Sequence, residues 1–192
     1  MTIFNRRNFL KQSLFLGAGL VTSLSAAKAE AFNLPAQQLF QNVKEPKTIS
    51  FKCLHTGEVF NGAYKVGDQY IKDSLRHLRY VLRDHRDGTT HDIDRDLLDY
   101  MHAVKMRANR DQDFVVLSGF RSHKTNAMLR RTTTGVAKNS FHMEGRAIDI
   151  RIPGYSVAEL QKNAHQLKLG GVGYYPKSGF VHIDTGPIRD WS

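Results

Sequence analysis

A chain of 192 residues suggests one domain with enough length to bury a sizeable core. Hydrophobic residues at 41% and charged residues at 24% exclude a mostly disordered chain. A formal charge of +10 admits acidic partners, whether nucleic acid, an anionic membrane or an anionic cell-wall polymer.

The N-terminus narrows that choice. "NRRNFLK" (5–11) opens with paired arginines, "SLFLGAGLVTSLSAA" follows, and "AKA" (27–29) has the small-x-small form of a signal-peptidase site. Arg6-Arg7 followed by Asn-Phe-Leu-Lys resembles a twin-arginine export signal. The apolar run is too short and too rich in Gly and Ser for a comfortable membrane span. An uncleaved anchor is the alternative, and the membrane is a partner only in that case. Residues 1–29 hold four basic residues and no acid, so cleavage after Ala29 takes the formal charge from +10 to +6. Much of the excess charge belongs to the signal, and an exported protein meets little nucleic acid. The expected location is the periplasm, reached by the twin-arginine route.

Residues 30–46 read as a polar leader. "TISFKCLHTGEVFNGAYKVGDQY" (48–70) alternates polar and apolar residues, with Thr-Gly and Asn-Gly as turn signals, and predicts one or two β-hairpins. Its Cys53 is the sole cysteine, which rules out an internal disulfide and reads as a small buried residue in a strand. Apolar residues at 71, 75, 78, 81 and 82 have helical spacing, as do 93, 97, 98, 101 and 104, with 106 as a further candidate. "DFVVLSGF" (113–120) is a buried strand and "HKTNAMLRRTT" a short helix. "RAIDIRI" is a strand, "SVAELQKNAHQLKL" a helix capped by Ser156, and "GGVGYYP" and "GFVHIDT" the closing strands. This order predicts an α+β fold with a small, mostly antiparallel sheet and flanking helices.

Two of these strands carry the chemistry. Alternate strand residues face opposite sides. Ile148, Ile150 and Ile152 therefore share a core face and leave Asp149 on the other; Val181 and Ile183 likewise leave His182 and Asp184 opposite. If the strands are neighbours, Asp149 and His182 line one wall. His142 enters from the preceding loop, where Gly145 permits a sharp turn. Two imidazoles and a carboxylate are the ligand set of a catalytic zinc site with an open fourth position. The alternative is an ordinary core His and a strand-end Asp.

The full pattern is Ser140-Phe141-His142-x-x-Gly145-x-Ala147-x-Asp149, then Val181-His182-Ile183-Asp184. It resembles the zinc D-Ala-D-Ala carboxypeptidase and murein endopeptidase superfamily, in which S-x-H-x-x-G-x-A-x-D and a later H-x-D or H-x-H carry the metal. The likeness is strongest to the exported MepK (YcbK-like) murein endopeptidase group. "LHTGE", "SGFRS", "GVAKNSFH", "GGVGYYP", "FVHIDTGP" and "RDW" each look like a stretch of that group. The resemblance implies a hedgehog/D-Ala-D-Ala-peptidase-like domain over 47–192 and Zn2+ on His142, Asp149 and His182. It also implies a peptidoglycan substrate, a peptide cross-link ending in D-centres or meso-diaminopimelate. Arg121, in the S-G-[FY]-R-S segment, is implied to face the polarised carbonyl; a surface salt bridge is its other reading. D,D- or L,D-carboxypeptidase action is an alternative to endopeptidase action, and the sequence sets no oligomeric state.

The pattern departs from relatives at the general base. Some members carry a Glu three residues before the last His, others a His two before it. Here those positions are Gly179 and Phe180. Asp184, about 6.6 Å along the strand face from His182, is the best substitute; alternatively it orients a ligand His. Glu144 is a distant third. His123 reads as a helix-start surface residue, His55 as either structure or substrate contact, and the two Tyr of "GGVGYYP" as either a substrate wall or a tight turn. The rival from another class is a peptidoglycan-binding protein that keeps zinc without catalysis, a reading favoured by the missing bases.

Overall fold

The computed structural model describes residues 45–192. The expected signal over 1–29 and the leader up to residue 44 lie outside the described residues. Alternation along the first strand, β1 (Pro46–Cys53), buries Ile49, Phe51 and Cys53. The chain then reverses at Thr56-Gly57 into β2 (Val59–Val66) and again at Gly67-Asp68 into β3 (Gln69–Tyr70). Both pairings are antiparallel. Asn61-Gly62, expected as a turn, instead lies inside β2 opposite Ser50 and Ile49.

Helix α1 (Lys72–Val81) buries Leu78 and Val81. Helix α2 (Arg95–Ala108) buries Leu97, Leu98, Met101 and Val104 as its spacing predicts, and also Tyr100. Met106 is 66% exposed and stands outside that stripe. The Asp94 side chain caps the start of α2 by accepting from the Asp96 amide, and Asn109 ends it in the left-handed conformation. The rest of the chain runs β4 (Phe114–Ser118), α3 (His123–Thr132), a single 3₁₀ turn (Phe141–Glu144), β5 (Ala147–Arg151), α4 (Val157–Leu167), β6 (Gly171–Tyr175), β7 (Phe180–Asp184) and β8 (Arg189–Trp191). Ser122 caps α3 and Ser156 caps α4 through their side chains.

All eight strands join one sheet in the order β3-β2-β1-β4-β5-β7-β6-β8. The α+β class holds, but the sheet is mixed rather than mostly antiparallel, and it is not small. β1 runs parallel to β4, and β6 parallel to β8. The β1-to-β4 crossover carries β2, β3 and both early helices, a length of chain that a parallel pair requires. Periodicity shows which face of a strand is buried but not which way its neighbour runs. β8, three residues long, is too short to show a period and was not expected.

Helix α1 packs on β2, α2 on β1, and α4 on β6 and β7, with α2 against α4. Between helices and sheet lies one core that joins Phe51, Phe114, Ile148, Ile150, Val181 and Ile183 to Leu98, Met101 and Leu160. The Tyr100 hydroxyl donates to the Ala164 carbonyl at 3.0 Å and ties α2 to α4. Cys53 sits in this core as expected, and burial raises its thiol pKa to about 11. Among the described residues, no helix is long and apolar enough to cross a membrane.

Candidate metal centre

β5 and β7 are antiparallel neighbours, with Asp149 directly opposite His182 and Ala147 opposite Asp184. The isoleucines and Val181 take the core side, so the polar residues line the opposite wall. His142 comes from the 3₁₀ turn just before β5 and is 2% exposed. Gly145 closes that turn at φ +66°, and a side chain there would meet the Asp92 carbonyl at 2.2 Å. Its own carbonyl accepts from the Asp94 amide at 3.0 Å, which fixes the turn to the start of α2.

Three ligand atoms meet here: His142 Nε2, His182 Nδ1 and Asp149 Oδ1. Their separations are 3.2 Å between the imidazoles, 2.9 Å from His182 to Asp149 and 3.3 Å from His142 to Asp149. Ligands about 2.0–2.1 Å from a tetrahedral zinc sit roughly 3.3–3.4 Å apart, so the triangle fits a small cation of that kind. Each ring's far nitrogen has its own partner. His142 Nδ1–H donates to the Gly119 carbonyl at 2.7 Å, and His182 Nε2–H donates to Asp184 Oδ2 at 3.0 Å. Each bond makes the far nitrogen the donor, so the near nitrogen is the one that can give a lone pair to a cation in the triangle, the outer-shell arrangement that orients metal-binding imidazoles.

The electrostatics agree with the geometry. Burial disfavours the His142 cation and lowers its pKa. Burial also disfavours the His182 cation, but hydrogen bonds to Asp149 and Asp184 outweigh it and lift the pKa to about 9. Burial works against the Asp149 charge too, yet the two imidazoles hold its carboxyl well below the usual range. A centre that favours both a carboxylate and a cation beside it suits a metal ion.

Asp184 is fully buried, and both its oxygens are occupied. Besides His182, it accepts a fork from Arg189 at 3.0 and 2.8 Å, and the backbone amides of Gly186 at 2.8 Å and Gly171 at 3.3 Å. Burial opposes its charge, but His182, Arg189 and the Gly186 amide outweigh it and hold the carboxyl well below the ordinary range. Gly171 makes room for this pair: a side chain there would meet Arg189 at 2.3 Å and Asp184 at 2.7 Å.

Arg121 follows β4, where a bulge between Val116 and Ser118 sets Ser118 opposite Asp149. The Arg121 amide donates to the His142 carbonyl at 3.0 Å, and its guanidinium comes within 3.9 Å of Asp149. Arg121 lines a cavity of about 550 Å³ together with His142, Asp149 and His182, with Tyr175 and Trp191 on its wall. The expected site residues His142, Asp149, His182, Asp184 and Arg121 are thus brought together. Glu144 is exposed and paired with Arg146 at 3.1 Å, outside the lining. His123 is exposed at the start of α3, and His55 stacks on His85 at 4.1 Å between ring centres; neither lines the cavity.

Among the lining residues with no expected role, three bear on the site. Arg189 holds Asp184, Trp191 tilts against the His182 ring with centres 5.2 Å apart, and Arg86 reaches the cavity from the loop after α1. The "RDW" stretch was the one sequence signal for the first two. The "GGVGYYP" stretch is strand β6 rather than a tight turn: Tyr175 lines the cavity and accepts a hydrogen bond from Trp191 Nε1 at 2.8 Å.

Comparison with known proteins places these features in a family. The family model described as "Peptidoglycan L,D-endopeptidase MepK" matches residues 41–191. A protein of Haemophilus influenzae named probable peptidoglycan L,D-endopeptidase MepK is 39% identical over 148 residues, covering 77% of this chain and 80% of that protein. The peptidoglycan L,D-endopeptidase MepK of Escherichia coli K12 is 39% identical over 146 residues, covering 76% and 80%.

Proposed function

We propose, for a chain that belongs to the peptidoglycan L,D-endopeptidase MepK family, that it is a zinc-dependent hydrolase of peptide cross-links in peptidoglycan. The observation that carries this reading is the ligand triangle of His142, Asp149 and His182, with both imidazole tautomers fixed, on the wall of a peptide-sized cavity. His142, Asp149 and His182 would hold the zinc, which would supply Lewis acidity for activating water and polarising the scissile carbonyl. Arg121 stands beside Asp149 with an under-satisfied guanidinium, placed to donate to the carbonyl oxygen as negative charge develops on it. Asp184 acts as a positioning residue. Its oxygens are committed to His182, Arg189 and two amides, which supports orientation of His182 over acceptance of a proton from water. The paired Arg6-Arg7 and the apolar run behind them support export by the twin-arginine route to the periplasm, where the polymer lies.

Elemental analysis tests the metal assignment. The protein should hold about one zinc per chain. His142→Ala or His182→Ala should lose zinc and murein cleavage together. Full zinc in both variants would overturn the site.

A further inference from the structure

The cleft carries more positive charge than the metal centre uses. Arg86, Arg121 and Arg189 all line it. Arg189 is neutralised by Asp184 through two hydrogen bonds. Arg121 is only weakly met: Asp149 lies at 3.9 Å, its contacts to Ser118 and Asn126 are 3.4 Å long, and its Nε is buried with no acceptor. Among the described residues, the Arg86 side chain has no hydrogen bond and no ion pair.

Two acids stand close to Arg86 in sequence, yet both turn away to Ser122. Asp84 accepts from the Arg86 and Ser122 amides at 2.9 and 2.8 Å, and Asp87 accepts from the Ser122 hydroxyl at 2.6 Å. Asp84 is 1% exposed. This buried carboxylate ties the Arg86 turn to the residue after Arg121, so both arginines are held at the cavity by one anchor. An exposed guanidinium that lines the cavity without a partner is open to an anion bound there.

The substrate class offers such an anion. An amino-acid centre whose nitrogen closes a cross-link keeps its own carboxyl group, free or amidated. That carboxyl carbon is two bonds from the scissile nitrogen, about 2.5 Å away, and so enters the same cavity as the carbonyl at the metal. We propose that Arg86 is a specificity residue that grips this free carboxylate and selects it over the carboxamide. The inference rests on the peptidase reading for its substrate but not on cleavage for its test.

The experiment uses two soluble cross-linked stem peptides that differ only at that carboxyl group, free or amidated. The same pair with the scissile amide reduced to a methylene-amine serves for binding. Calorimetry on the zinc-loaded protein should show the carboxylate analogue bound about 10- to 100-fold more tightly. Arg86→Ala should erase that preference at unchanged zinc content, and Arg86→Lys should keep part of it. With the cleavable pair, the preference should sit in KM more than in kcat. Equal binding of the two analogues by the wild type, or an equal loss on both in Arg86→Ala, would overturn the role of Arg86. A binding preference without cleavage of either peptide would instead refute the peptidase reading and leave Arg86 in place.

Discussion

Asp184 shows how partners decide what a carboxylate does. From sequence it shares a face with His182 and serves equally well as base or as orienter. In the fold, Arg189 and two backbone amides occupy the lone pairs a base would need. That distinction was not legible because Arg189 reaches back across the turn after β7, and no periodicity reports such a contact. The convergence of His142, Asp149 and His182 was legible for the opposite reason: strand alternation fixes the faces of Asp149 and His182, and the spacing of His142 from Gly145 marks a turn. Asp184→Asn separates the two proposed roles. It keeps the shape but turns one of the two acceptor oxygens into an NH2 that faces donors, either Arg189 with the Gly186 and Gly171 amides or His182 with Arg189. An orienting Asp184 predicts zinc affinity lower by about 10- to 100-fold. A base predicts turnover lower by about 100- to 10,000-fold with zinc binding unchanged. Zinc titration and steady-state kinetics on one preparation distinguish them.

At the level of elements, the first hairpin and α2 are joined by one residue. Asp99 of α2 accepts from Lys47 of β1 at 3.1 Å, Tyr64 and Lys65 of β2 at 2.7 and 2.9 Å, and Tyr70 of β3 at 2.9 Å. Burial opposes its charge, but Lys65, Tyr64, Lys47 and Tyr70 outweigh it and hold the carboxyl far below the ordinary range. A carboxylate depressed in the folded state stabilises fully above its unfolded pKa, about 3.9, and that stability is lost as pH falls further. Asp99→Asn should therefore lower stability at neutral pH, by about 1–3 kcal/mol, and weaken the acid dependence below about pH 4. Urea unfolding of both proteins at pH 7 and pH 3 checks this; an equal difference at the two pH values would rule it out. The helices and most strands were readable from period alone. The parallel β1–β4 pair, the β4 bulge and β8 were not, because each depends on which strand lies next to which.

Over the whole molecule, charge and address fit together. Four of the basic residues fall in 1–29, within the expected export signal. Replacing Arg6-Arg7 with Lys-Lys should block twin-arginine export, since that route reads the paired guanidinium groups. Fractionation that finds the variant in the periplasm at wild-type amounts, in cells lacking the twin-arginine machinery as well, would point to the general secretory route. The folded domain meanwhile builds a cleft in which the His142–Asp149–His182 triangle, a saturated carboxylate and two under-satisfied arginines face one space. The claim that this cleft cuts peptidoglycan is tested most directly by incubating purified murein with the zinc-loaded protein and profiling the released muropeptides. The account predicts loss of cross-linked species, abolished by a chelator and restored by added zinc. Murein that is bound yet keeps every cross-link, or cleavage indifferent to the chelator, would contradict it.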